Sequence, residues 1–165
     1  MGRYKSHYTG EEIDDLLSIV EQYGSGNTIM WEGAKFMNGD SAVAFDYGKE
    51  EGEFHKVSEQ QNGIVLVFSL YDTGTGAAQD ASWSCHFVPK SMIGEDGLDN
   101  AGSHTFLMAT FTDTIDIFGV KHLTISDTRI EGYIRNGMTS NEYGVSDCGI
   151  KFSNKNYVLR YVIGV

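Results

Sequence analysis

Several scarcities frame this sequence. Two cysteines in 165 residues, Cys85 and Cys148, are too few and too far apart for a disulfide framework or a zinc site, which fits assembly in a reducing cytoplasm. A single proline beside 20 glycines argues against a Pro-rich disordered chain and for one compact, turn-rich domain. No apolar run approaches the ~18 residues that cross a bilayer, and no apolar h-region follows the first basic residues, so no membrane insertion and no signal peptide are expected. Basic residues are also scarce, at 12 against 23 acidic ones. The resulting charge of −11 repels phosphates and anionic surfaces and excludes nucleic acid as a partner.

Catalytic patterns are scarce too. The five histidines, at 7, 55, 86, 104 and 122, have no metal-ligand spacing. Glu95 to Asn100 is rich in oxygen ligands but lacks the alternating carboxylates and distal Glu of an EF-hand loop. Neither a Gly-x-Ser-x-Gly elbow nor a phosphate-binding glycine loop occurs. The expectation is a protein that is not an enzyme and needs no metal or cofactor.

What is present is β pattern. Asn62 to Tyr71 opens on an Asn-Gly turn signal, and Ile64 to Phe68 are five apolar residues in a row, as in a central strand covered on both faces. Thr28–Met37 reads as a first strand ending at Asn38-Gly39, with Ser41–Phe45 returning beside it as a hairpin. Gly48–Gln61 reads as a solvated loop. Ala81–Pro89 alternates, with Trp83, Cys85 and Phe87 on the face assigned to the core and Ser82, Ser84 and His86 on the other. Thr105–Phe111 is a further strand, Lys121–Ile125 and Arg129–Ile134 form a hairpin about Ser126–Thr128, and Tyr157–Val165 is a terminal strand. This spacing predicts an antiparallel sandwich or barrel.

Ahead of the β region, Thr9-Gly10-Glu11-Glu12 has capping-box spacing, and Gly24 stands where a helix would stop. Ile13, Leu16, Val20 and Tyr23 follow a 3-4-3 spacing, widened by Leu17, so the predicted helix has one oily face. That face would pack on its own domain or self-associate, in which case Ile13, Leu16 and Val20 form the oligomer seam. The β-branched residues at one heptad position and leucine at the other favour two strands. The domain division is thus 1–27, helix and hinge, and 28–165, β head.

The segments Met30–Ala34 through Met37-Asn38, Asn62–Ser69, Phe87–Lys90, Gly149–Phe152 and Val158–Val165, preceded by Tyr8–Asp14, resemble in order the tail-fibre or baseplate proteins of phages and prophages of Gram-positive bacteria. The resemblance implies a mainly β fold, a short N-terminal α-helix followed by an antiparallel, jelly-roll-like β-sandwich head. It also implies a homotrimer in the virion tail that contacts other tail or baseplate proteins, adheres to host cell-surface saccharide, and has no catalytic residues. A glycan-cleaving tail enzyme and a barrel enclosing a small apolar ligand are the alternatives. Loops on a β scaffold can vary without disturbing the core, so ligand binding is expected around Tyr71, Asp99 and Tyr143, with Trp83 in the core. The net charge favours a neutral or amine-bearing sugar over an anionic wall polymer.

Overall fold

The structure is a computed structural model and describes residues 27–93, 103–111, 116–139 and 153–165. The expected helix over Thr9–Gly24, with Ile13, Leu16 and Val20, lies outside the described residues, as do Asp99, Tyr143 and Cys148.

The described chain is mainly β. Its strands are β1 (Thr28–Lys35), β2 (Ala42–Ala44), β3 (Gly63–Asp72), β4 (Ala77–Ala78), β5 (Ser84–Pro89), β6 (Ser103–Phe111), β7 (Asp116–Ile125), β8 (Arg129–Glu131) and β9 (Tyr157–Gly164). One antiparallel sheet runs β1-β9-β3, with β4 and β5 pairing successive parts of the free side of β3; the other runs β2-β8-β7-β6. The sheets curl into a half-barrel. The run Ile64–Phe68 is a central strand, as its composition predicts, between β9 and β5. The short segment 42–44 does not return along β1; it pairs with β8, Val43 opposite Ile130. Its three residues carry too little periodicity to choose a partner, and the turn at Asn38–Ser41 carries the chain across to the second sheet.

Ile64, Leu66 and Phe68 of β3, Leu159 and Val162 of β9, Phe106 and Met108 of β6, Leu123 and Ile125 of β7 and Ile130 of β8 meet in one core. Each such side chain contributes roughly 1.5–3 kcal/mol by leaving water. Gly63 sets the start of β3. At φ 145° it occupies backbone space closed to L side chains, and an added Cβ would run into the Val88 carbonyl oxygen, so only glycine lets β5 approach here.

The register this imposes, Ile64 opposite Val88 and Leu66 opposite His86, corrects the expected orientation of β5. Val88 is buried with the inward residues of β3, so Trp83, Cys85 and Phe87 point outward and Ser84 and His86 inward. The alternation is as expected; the faces are exchanged, because pairing with a strand of fixed orientation outweighs the preference of three side chains.

Where β5 meets β6, His86 and His104 lie on either side of Phe106, their rings 5.2 and 6.2 Å from its centroid. His86 Nε2 is 2.8 Å from Ser84 Oγ, and His104 Nε2 has no partner among the described residues. Burial lowers both pKa values below 6.5 by penalising the charged form. In the window between these lowered values and 6.5 the unfolded chain binds more protons, so stability is full above pH 6.5 and falls as the pH drops through the folded values. Urea midpoints are expected to decline between pH 7 and 5, and replacing both rings, His86→Gln with His104→Leu, should flatten that decline. An unchanged slope in the double variant would show that the acid sensitivity resides elsewhere.

Candidate functional site

Two clusters of polar side chains stand out, and they differ in access. The first is buried. On β7, inward alternation runs Gly119, Lys121, Leu123, Ile125, so a lysine occupies a core position with no exposed surface. Its Nζ donates to the carbonyls of Phe36 at 2.9 Å, Asn136 at 3.0 Å and Asn154 at 2.8 Å, and lies 5.7 Å from the centre of the Phe36 ring. The side chains of Asn136 and Asn154, both buried, bind strand and loop backbone in turn. Asn136 accepts from His122 N and donates to Met37 O and His122 O, while Asn154 accepts from Val120 N and donates to Arg135 O. Burial pulls the Lys121 pKa from 10.5 down to about 7. A lysine so shifted has the acidity of a base or nucleophile, but this one is sealed from solvent by the three carbonyls it ties together. It is a clamp that holds three loop segments on β7.

The second cluster is open and lies on the outer face of the β1-β9-β3-β5 sheet. Val67 pairs with Tyr161 and Phe68 with Leu159, so Arg160 is the extra residue of a β-bulge in β9. The bulge re-aims its side chain onto the outer face. There Arg160 Nε donates to Gly33 O and Nη1 to Ser69 Oγ and Asp80 Oδ1, each at 3.1 Å. Ser69 is fully buried beneath it. The guanidinium lies 5.2 Å from the centre of the Trp83 ring, and Trp83 lies 6.3 Å from Tyr161 with the ring planes 35° apart. Ser82, at φ 51°, takes a left-handed conformation that non-glycine residues rarely adopt and leads Trp83 into this position.

Trp83 therefore does not belong to the core: it is 45% exposed and forms the wall of a shelf. Arg160 is held by three acceptors, and its side chain is 17% exposed. Asp80 is held at Oδ1 alone among the described residues and its side chain is 80% exposed. The exposed Arg–Asp pair adds little to stability, at about 0–1 kcal/mol. Chemically, the shelf offers an aromatic surface, donors fixed in one plane and a carboxylate acceptor.

Of the three residues expected to bind ligand, Tyr71 alone is described. It pairs with Ala78 and sets its ring edge-on to Phe36, centroids 4.4 Å apart, so it borders the Lys121 clamp. Arg160 was missed by sequence reasoning. Its signal was an arginine inside the apolar run Tyr157–Val165; the bulge that exposes it leaves no local mark.

Among the described residues no three His, Cys, Asp or Glu side chains are grouped to hold a metal ion, and no helix is long and apolar enough to cross a membrane. Comparison of the chain with protein-family models, with curated proteins and with solved structures finds no match.

Proposed function

We propose that the protein is a saccharide-binding adhesin, with the shelf of Trp83, Tyr161, Arg160 and Asp80 as its binding surface. The observation that carries this is an exposed indole set against an immobilised guanidinium–carboxylate pair. Aromatic rings present an apolar face to the C–H surface of a sugar, while Arg160 donates to and Asp80 accepts from hydroxyl groups. The carboxylate beside the cation and the overall charge of −11 disfavour anionic polymers and favour a neutral or amine-bearing saccharide. Under the likeness to phage tail proteins, the β region is a jelly-roll-like head presenting this shelf to the host surface from the virion tail.

A panel of host-wall polysaccharides tests the reading. Saturable binding to neutral or amine-bearing glycans, without release of reducing ends, is the expected outcome. Retention on anionic polymer alone would overturn the ligand class, and turnover would replace the adhesin with a glycan-cleaving enzyme.

A further inference from the structure

Two apolar rows lie on the outer face of the same sheet, open at Ile29, Phe87 and Cys85 and buried at Val67. In the first, cross-strand pairing sets Ile29 beside Ile163, Ile163 beside Val65, and Val65 beside Phe87. In the second, Tyr161, Val67 and Cys85 are neighbours, and Glu32 closes the row on β1. Phe87 is 53% and Ile29 37% exposed, and Cys85 is exposed. Four strands spaced about 4.8 Å apart make this surface roughly 14 Å wide. Contiguous apolar area of this kind marks an interaction site.

We infer that this face is the dock for the chain's own N-terminal stretch, Thr9–Tyr23. Thr28 pairs with Gly164 at the end of the sheet where the Ile29–Ile163–Val65–Phe87 row lies, so the chain enters β1 beside that row. Tyr23 is separated from Thr28 by Gly24, Ser25, Gly26 and Asn27, a tether that reaches at most about 17 Å and contains two glycines for a reversal. The stretch spaces Ile13, Leu16, Leu17, Val20 and Tyr23 at helical intervals, and its 15 residues would cover roughly 22 Å as a helix, enough to cross all four strands. A tether this short holds the two apolar surfaces at an effective concentration on the order of millimolar, which favours the chain's own segment over a second copy. The same Ile13, Leu16 and Val20 cannot cover this face and line a seam between subunits at once. The dock shares Tyr161 with the saccharide shelf, but the inference rests on the apolar rows and the tether, and its readout, access to Cys85, does not depend on sugar binding.

Cys85 serves as the reporter. In the full-length chain carrying Cys148→Ser, Cys85 should react with a maleimide about ten-fold more slowly than after Leu16→Asp and Val20→Asp are added, because local cover limits access to the thiol. In a separate full-length variant, Leu16→Cys with Cys148→Ser, mild oxidation should join positions 16 and 85 within one chain, giving a species that runs as a monomer. Free reaction of Cys85 in the parent would overturn the inference. So would protection that varies with protein concentration, or a cross-linked product of dimer or trimer size, either of which would give the face to a second copy.

Discussion

Lys121→Met is expected to cost the fold about 3 kcal/mol or more, because each buried carbonyl left without its donor costs about 1–3 kcal/mol. Methionine fills much of the same space, so the loss would not be one of volume. It would come from the carbonyls of Phe36, Asn136 and Asn154, which would lose their shared donor in a site closed to water. Urea denaturation measures it. A loss below about 1 kcal/mol would mean that the carbonyls find other donors.

The same residue gives a pH signature of defined sign. Its folded pKa of about 7 lies below the 10.5 of the exposed side chain. Between those values the unfolded chain holds a proton that the folded one has shed, so stability should rise with pH above about 7, and this contribution should be constant well below it. The urea midpoint is therefore expected to increase from pH 7 to 9 in the parent and to stay flat in Lys121→Met. A rise of equal size in both would assign it to another group.

Trp83→Ala is expected to abolish most saccharide binding, with a loss of about 30-fold in affinity if the indole acts as a hot-spot side chain worth roughly 2 kcal/mol. The effect should appear without destabilisation, because the ring is already largely outside the core. Arg160→Lys makes the finer comparison. It retains the charge but not the planar fork that spans Gly33 O, Ser69 Oγ and Asp80 Oδ1, and should also weaken binding. Calorimetry against the best ligand of the panel measures both. Full affinity in Trp83→Ala would remove the shelf from the function, whatever Arg160→Lys does.

The strands were legible where one side-chain pattern was decisive. β3 and β9 are long apolar runs, β6 and β7 alternate, and the β7–β8 hairpin has a polar turn between its arms. Orientation was less legible. In β5 the residues of one face, Trp83, Cys85 and Phe87, are the more apolar, yet Gly63 fixes the pairing with β3 so that Val88 goes inward and they do not. That choice depends on a neighbour more than 15 residues away in sequence, which periodicity cannot report. The Lys121 clamp was written in phase with Leu123 and Ile125, but a strand lysine ordinarily marks the solvent side, and its three carbonyl partners come from segments far apart in the chain. The shelf was hidden for a related reason: a bulge moves Arg160 between faces without any residue type that announces it.

The pairing of Thr28 with Gly164, beside Gly63 and Pro89, gives the sheet two poles. The polypeptide enters β1 and leaves β9 at one of them, whereas Trp83 and Arg160 lie toward the other. Anything joined to the molecule through its N-terminal stretch would therefore hold it by the base, with the shelf carried at the distal end. Because β1 and β9 run antiparallel, tension applied between Thr28 and Gly164 would peel the ladder one pair at a time instead of shearing it, and opening would start at the base, away from the shelf.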